Sequence, residues 1–182
     1  ALWPETKAVL ETESLKAPFN IDHPYLARQN EYEQNLWFDG DNPEIAGLVE
    51  TLSVENINDD AAAAFIKEFA PDLIIVFGTR KILPRLIALA PGRMLNLHGG
   101  DPEHYRGLDT HLWAVYHGEF HQLITALHLV APELDTGEII DKESLKLFPD
   151  MQLSELRAEN TRQYSGCTLP CHKIQQKRGS AE

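Results

Sequence analysis

Residues 71–98 read PDLIIVFGTRKILPRLIALAPGRMLNLH, and this stretch places two short apolar runs on either side of a helical pattern. The runs at 73–77 and 94–98 have the length of strands, and their nearly continuous apolar character is typical of parallel strands that are buried on both faces. Residues 82–89, between them, carry the helical pattern. The order predicts an α/β unit with the strand at 73–77 in the centre of its sheet.

The same alternation continues on both sides of this unit. Further strands are predicted at 7–13, 49–54, 123–130 and 139–140, and further helices at 24–38, 61–69, 110–118 and 153–161. Asn58, Asp59 and Asp60 are the expected N-cap residues of the helix at 61–69. The sequence contains neither internal repeats nor low-complexity linkers. The pattern therefore predicts a Rossmann-like α/β fold, with a mostly parallel sheet flanked by helices.

Composition and charge limit the classes of partner. The chain has 43% hydrophobic and 24% charged residues, which is ordinary for a globular domain. We expect this domain at 1–164 and an irregular tail at 165–182. The formal net charge of -12 would repel a nucleic acid backbone, and no nucleic acid partner is expected. The sequence shows neither a membrane-spanning run nor a signal peptide pattern, so we expect no membrane partner and a cytoplasmic location.

Metal-ligating residue types do not form a complete set in the sequence. Cys167, Cys171 and the adjacent His172 could form half of a zinc site, but no second ligand pair lies near them, so we interpret the cysteines as free thiols. Another group of histidines also lacks the spacing of a closed ligand set: His104, His111, His117 and His121. We therefore expect no metal.

A pair of polar residues in the strand at 94–98 suggests chemistry. Asn96 and His98 are two residues apart, which sends both side chains to one face of the sheet. An amide that donates to a developing oxyanion and an imidazole that exchanges a proton suit attack on a carbonyl carbon. Asp135, in the turn after 123–130, could orient the imidazole and favour its protonated form. On these residues alone, a buried histidine, a strand-end asparagine and a turn-forming aspartate explain the pattern equally well.

Around these residues the sequence resembles the formyltransferases that use 10-formyltetrahydrofolate, including the sugar N-formyltransferases and the catalytic domain of methionyl-tRNA formyltransferase. The resemblance extends from about residue 7 to residue 161 and keeps the order of several motifs. These motifs are PDLIIVFG at 71–78, Ile82-Leu83-Pro84, Asn96-Leu97-His98, Tyr105-Arg106-Gly107, TALHLV at 125–130, and Glu133-Leu134-Asp135-Thr136-Gly137.

The resemblance assigns roles to individual residues. It implies that Asn96 binds the formyl oxygen, that His98 stabilises the tetrahedral intermediate and moves its proton, and that Asp135 holds His98 or a water molecule. It further implies that the pterin pocket is lined by Phe77, Thr79, Ile82, Leu83, Val130 and Leu134, and that the substrate side is shaped by Tyr105, Arg106 and His128. Arg106 would either meet an anionic group or brace its own loop. His128 would either join the cluster or only pack on its strand.

The implied reaction is the transfer of formyl from 10-formyltetrahydrofolate to a primary amine of a small molecule, with a nucleotide-linked amino sugar as the first choice. Two alternatives remain: a formyltetrahydrofolate hydrolase, in which water replaces the amine, and a folate-binding module without turnover. The oligomeric state is left open, and a homodimer is compatible with the sequence.

The sequence also departs from the family's pattern. Asp101 and Glu103 stand where many relatives have leucine and proline, and Gly99 and Gly100 replace bulkier residues, which leaves the acceptor open. Family members begin with a strand and a glycine-bearing loop that precede the strand matched by 7–13. We therefore expect an N-terminally incomplete catalytic domain that lacks the first strand.

Overall fold

A computed structural model of the chain describes residues 5–12, 24–41 and 44–166. Its elements in chain order are β1 (Lys7–Glu11), α1 (Pro24–Phe38), β2 (Glu50–Val54), α2 (Asp60–Phe69), β3 (Ile74–Val76), α3 (Pro84–Ile87), β4 (Met94–His98), α4 (Thr110–Tyr116), β5 (Ile124–Leu129), β6 (Ile139–Ser144) and α5 (Leu156–Gly166). Helix α5 ends at Gly166, two residues beyond the predicted domain end. Residue 13, the last residue of the predicted strand at 7–13, and the part of the predicted tail from 167 onward lie outside the described residues. None of the described helices has the length and apolar character needed to span a membrane.

The strands form two hydrogen-bonded groups. Strands β1 and β2 pair in parallel, and a four-stranded sheet has the order β3-β4-β5-β6. In that sheet β3 and β4 are parallel, whereas β4 and β5, and then β5 and β6, are antiparallel. The predicted α/β class is confirmed, with strand pairing more mixed than the mostly parallel sheet that we expected.

The prediction that 73–77 forms the sheet's centre is wrong. Strand β3 is an edge strand of the four-stranded sheet, and Ile75 and Phe77 are 44% and 55% exposed. Val76 and Phe77 line a pocket instead. The apolar residues of this run therefore line a pocket as well as pack in the core, and periodicity alone does not distinguish pocket-lining residues from core residues.

Strand β4 alternates between two apolar clusters, as its period of two requires. Met94 packs with Ile57 and Leu86 on one face of the sheet, and Leu95 packs with Leu127 on the other. Each fully buried side chain of this type stabilises the fold by roughly 1.5–3 kcal/mol. The packing on both faces fixes the register of β4 and thereby decides which face its polar residues occupy.

Two predicted helix starts differ in detail from the structure. Helix α3 begins at Pro84 rather than at 82, because Leu83 is extended with a ψ of 154° and the fixed φ of proline suits a first helical turn. Asp59 occupies the N-cap position of α2 but makes no side-chain cap. Asn58 instead uses its side chain on the segment before α3, donating to Lys81 O at 3.0 Å and accepting from Leu83 N at 2.8 Å.

Helix α1 matches the predicted bounds, but it packs through polar groups. The Tyr32 hydroxyl donates to Glu159 at 2.7 Å, and Arg157 makes a bidentate pair with Glu33 at 2.6–2.7 Å. Leu26, one of the apolar residues of this helix, is 47% exposed. Helices α1 and α5 are therefore joined mainly by charged and polar contacts beside the pocket.

Candidate active site

Four polar side chains meet on one face of the sheet, and we call them the polar cluster: Asn96, His98, His128 and Asp135. Asn96 lies directly opposite His128 across β4 and β5. Its amide nitrogen lies 3.2 Å from His128 Nε2 and donates to Asp135 Oδ1 at 3.3 Å. His98 Nδ1 lies 3.7 Å from Asp135 Oδ2. The structure thus brings together the three predicted catalytic residues and places His128 beside them.

The turn that carries Asp135 depends on backbone geometry. Asp135 has a φ of 51°, in the left-handed region that aspartate tolerates better than most residues. Two residues later, a Cβ on Gly137 would lie 1.6 Å from the carbonyl oxygen of Leu129. Leu129 also donates its N–H to Glu138 O at 2.9 Å. The Asp-x-Gly motif therefore folds the loop tightly onto the end of β5 and points the carboxylate back over the sheet.

Backbone carbonyls fix the orientation of both imidazoles. His98 Nε2 lies 2.8 Å from Tyr105 O, and His128 Nδ1 lies 2.9 Å from Leu129 O. A carbonyl oxygen only accepts, so each of these ring nitrogens carries the hydrogen. The opposite nitrogens, His98 Nδ1 and His128 Nε2, consequently face Asp135.

The cluster contains an ionised carboxylate. Burial by itself would raise the pKa of Asp135, but the neighbouring His128, the hydrogen bond from the Gly107 N–H and the charge of His98 hold the pKa of that carboxyl below its usual value. The Gly107 bond measures 2.8 Å. Asp135 is therefore negatively charged at neutral pH and able to accept a proton.

The polar cluster opens into a pocket of about 390 Å³, which is the size of a small-molecule site. Five of the six residues predicted for the pterin side line it: Phe77, Thr79, Ile82, Val130 and Leu134. Leu83 does not line the pocket and is 43% exposed. Several buried polar side chains on the pocket wall were not predicted as site residues: Gln29, Thr110, His111 and Asn160.

The loop after β3, which was predicted to lie on the pterin side, is held by residues that the sequence did not reveal. Glu11, at the end of β1, accepts hydrogen bonds from Ile57 N at 2.8 Å and from Arg80 N at 3.2 Å. Asn58 accepts from Leu83 N at 2.8 Å. The only available signal was a polar residue at or shortly after the end of a strand, which is too common to identify a binding loop.

Two predicted substrate-side residues, Tyr105 and Arg106, do not line this pocket, although Arg106 lines a second cavity together with Asp135. The Tyr105 hydroxyl donates to Glu119 at 2.6 Å, and this hydrogen bond raises the pKa of Tyr105 to about 12. Only the backbone carbonyl of Tyr105 reaches the polar cluster, through His98. Arg106 donates to Pro102 O at 2.8 Å, which is the loop-bracing contact of the two alternatives.

The loop at 99–107 is anchored on β6 through residues that depart from the family's pattern. Lys142 Nζ lies 2.8 Å from both carboxylate oxygens of Asp101 and 2.5 Å from Glu103. Burial would raise the pKa of Asp101, but hydrogen bonds from Lys142 and from the Glu103 N–H hold it below its usual value. Asp101 O also accepts from Tyr105 N at 2.7 Å. This anchor therefore sets the position of the carbonyl that orients His98.

Fold and site together define a class: an α/β enzyme domain whose pocket holds hydrogen-bond donors and a carboxylate suited to chemistry at a carbonyl carbon. The sequence model of one family, described as formyl transferase, matches residues 21–167. The chain belongs to the formyl transferase family, which confirms the predicted family.

Curated relatives carry different acceptors in their names. The chain is 32% identical over 106 residues to phosphoribosylglycinamide formyltransferase of Haemophilus influenzae, a match covering 58% of this chain and 50% of that protein. It is 34% identical over 103 residues to methionyl-tRNA formyltransferase of Anaeromyxobacter dehalogenans, covering 56% of this chain and 33% of that protein. The chain therefore spans at most about half the length of these curated relatives.

Solved structures show the same fold. Phosphoribosylglycinamide formyltransferase from Bacillus halodurans aligns with a TM-score of 0.58 at 17% identity, covering 97% of this chain and 96% of that one. The formyltransferase PseJ from Anoxybacillus kamchatkensis aligns with a TM-score of 0.55 at 20% identity, covering 88% and 71%. That structure is a complex with UDP-4,6-dideoxy-4-formamido-L-AltNAc and tetrahydrofolate. The predicted formyltransferase-type fold is confirmed.

Proposed function

We propose that this chain transfers a formyl group from 10-formyltetrahydrofolate to a primary amine of a small molecule. The observation that carries the proposal is the polar cluster, in which an amide, two imidazoles and an ionised carboxylate converge at the wall of a small-molecule pocket. Membership of a family whose formyl donor is 10-formyltetrahydrofolate supports the choice of cofactor.

The first step is attack by the neutral amine nitrogen on the formyl carbon, which moves the carbonyl electron pair onto oxygen. Asn96 Nδ2 supplies one donor for that oxygen by exchanging one of its internal hydrogen bonds. His98 supplies a second donor when Nδ1 is protonated, and the carboxylate 3.7 Å away attracts this imidazolium. Prepositioned donors of this kind contribute roughly 10²–10³ each to the rate.

The second step is proton movement. The attacking nitrogen becomes positively charged, and the Asp135 carboxylate accepts a proton from it, directly or through a water molecule. The oxygen electrons then re-form the carbonyl, the bond from carbon to the folate N10 breaks, and N10 takes up the proton that Asp135 accepted, which leaves Asp135 ionised again. Tetrahydrofolate leaves, and the amine remains as a formamide.

Charge and wall chemistry support a small, uncharged polar acceptor group. Gln29, Thr110, His111 and Asn160 are buried at the pocket wall, and burial lowers the pKa of His111, so that it is neutral at physiological pH. Uncharged donors and acceptors suit the hydroxyl and amide groups of a sugar. A nucleotide-linked amino sugar is therefore the proposed acceptor, with its uncharged sugar part at this wall, and the net charge of -12 disfavours the long phosphate backbone of tRNA. A cytoplasmic location is part of the same proposal.

The test is incubation with 10-formyltetrahydrofolate and three acceptors: a panel of nucleotide-linked amino sugars, glycinamide ribonucleotide and methionyl-tRNA. Mass spectrometry should find an amino sugar that gains one carbonyl unit, and no such product with Asp135→Asn. Free formate released without any amine would instead support the hydrolase. Binding of a folate analogue without any turnover would support the non-catalytic module, and either result would overturn the proposal.

A further inference from the structure

We propose that the polar cluster also binds a divalent transition-metal ion of the Zn²⁺ type. Among the described residues, His98, His128 and Asp135 each offer one ligand atom, and these atoms all lie within 4.8 Å of one another. Two imidazoles and one carboxylate on a single face form a donor set that Zn²⁺ and its neighbours accept readily. The site differs from the histidine groups considered in the sequence, and it involves no exposed acidic residues.

The ring orientations prepare the site for an ion. His98 and His128 each donate one ring N–H to a backbone carbonyl, at 2.8 Å and 2.9 Å, so the lone pairs of their other nitrogens point into the cluster. Histidines that bind metals almost always have their second nitrogen held in this way, which fixes the tautomer and the ring plane. The outer hydrogen bonds of a metal site are therefore already made by the fold.

Metal binding would require the ligand atoms, which lie within 4.8 Å of one another, to move closer together. His98 Nδ1 and His128 Nε2 lie 3.7 Å and 3.6 Å from the carboxylate oxygens of Asp135. Ligand atoms around a tetrahedral zinc with bonds of about 2.0–2.1 Å lie about 3.4 Å apart. The three side chains are only 2–6% exposed, yet they line the pocket, which gives an ion a route of entry.

Asn96 is the group that must move. Its amide nitrogen lies 3.2 Å from His128 Nε2, the atom that would ligate the ion. Rotation of the amide about its terminal torsion exchanges the NH₂ for the carbonyl oxygen, which removes the opposing donor and presents an oxygen to the ion. Asn96 or a water molecule would then complete a four-coordinate site.

The ion would act as an inhibitor of the proposed reaction, since it occupies the His98 and Asp135 lone pairs that proton transfer requires. Binding itself does not rest on the proposed reaction. A failed metal measurement would therefore leave formyl transfer untouched, and a failed transfer assay would leave metal binding untouched.

The experiment is a titration of the full chain with Co²⁺, followed by displacement with Zn²⁺. Cys167 and Cys171 are changed to serine first, because thiolates also bind these ions. We expect a visible d–d spectrum without sulfur-to-cobalt charge transfer and one ion per chain. Affinity should be at least about tenfold weaker in His128→Ala and in Asp135→Asn. It should be unchanged in His121→Ala, which removes an exposed imidazole.

Absence of a cobalt spectrum in the otherwise unaltered chain would overturn the inference. Unchanged Co²⁺ affinity in Asp135→Asn, or loss of Co²⁺ affinity in His121→Ala, would also overturn it, because either result would show that the ion binds at another site. His128 is 2% exposed, so circular dichroism must show that His128→Ala is folded. If it is not, Asp135→Asn, which keeps the volume of the side chain, decides the outcome.

Discussion

Two segments hold His98 from opposite sides, and they do so by different physical means. On one side the turn at 135–137 brings in a carboxylate, and its position is set by backbone packing: Asp135 is left-handed, and Gly137 leaves no room for a Cβ against Leu129 O. On the other side the loop at 99–107 brings in the carbonyl of Tyr105. That loop is held by an ion pair reaching across to β6.

The two segments should therefore respond differently to substitution: any change should displace the turn at 135–137, whereas the loop at 99–107 can be weakened in steps. Packing of backbone against backbone tolerates no added atom, because no flexible side chain can yield. The Asp101–Lys142 ion pair can be weakened in steps, because its lysine side chain is 27% exposed and can adjust, whereas its aspartate is only 8% exposed. The strength of the pair also depends on pH, since it requires an ionised aspartate. The turn should therefore fail abruptly when it is altered, and the loop should fail by degrees.

The largest effect is expected for Gly137→Ala. The new methyl group would lie 1.6 Å from a carbonyl oxygen, so the turn must move and take Asp135 with it. We expect a loss of unfolding free energy of at least about 2 kcal/mol in urea denaturation. We also expect kcat/KM for formyl transfer to fall at least about a hundredfold.

The matched control is Gly47→Ala, where an added Cβ meets no atom within 4 Å and the φ is not positive. This variant should retain both stability and activity. If Gly137→Ala kept the stability and activity of the control, backbone packing would not determine the position of the turn, and the proposed difference between the two segments would be wrong.

A smaller effect is expected for Lys142→Met, which removes the lysine partner of the buried Asp101 carboxylate. We expect the free energy of unfolding to drop by about 1–3 kcal/mol. The rate constant kcat should fall roughly tenfold as the Tyr105 carbonyl loses its fixed position. Arg85→Met is the control, because Arg85 pairs with Asp60 at the surface, and it should change stability by no more than about 0.5 kcal/mol. Equal losses of unfolding free energy in Lys142→Met and Arg85→Met would contradict the claim that the Asp101–Lys142 pair holds the loop.

The smallest effect is expected for the pH dependence of the difference in unfolding free energy between wild type and Lys142→Met. The pKa of Asp101 is held below its usual value in the fold, so the pair contributes stability above the unfolded pKa of about 3.9 and loses it as pH falls through the folded pKa. Without Lys142, burial raises the pKa of Asp101. The stability gap between wild type and Lys142→Met should therefore narrow between about pH 7 and pH 4, as measured by denaturation at both values. A gap that widens in acid would show that Asp101 is not the titrating group.

Local patterns predicted much of the fold and of the site. The period of two in β4 placed Asn96 and His98 on one face, and the structure shows both side chains there beside Asp135. Helix α1 has the predicted bounds, Pro24–Phe38. Chemical roles for these residues came from the family resemblance and stay predictions.

Long-range pairing could not be predicted. Which strand lies at an edge depends on partners far along the chain, so β3 was misplaced. The Asp101–Lys142 pair joins residues 41 positions apart, and polar residues at such a separation carry no periodic signal. Tyr105 was predicted as a side chain in the substrate site, whereas its backbone carbonyl makes the contact with the polar cluster.

The most direct test of the account is a double-mutant cycle on His98 and Asp135, with kcat/KM measured for formyl transfer to the amino sugar identified in the acceptor panel. We expect His98→Asn and Asp135→Asn each to lower kcat/KM by about 10²–10⁴, and the double variant to be little worse than the worse single one, because residues that act as one unit are not additive. Losses below about tenfold, or losses that multiply in the double variant, would contradict the claim that these side chains act together on the formyl group.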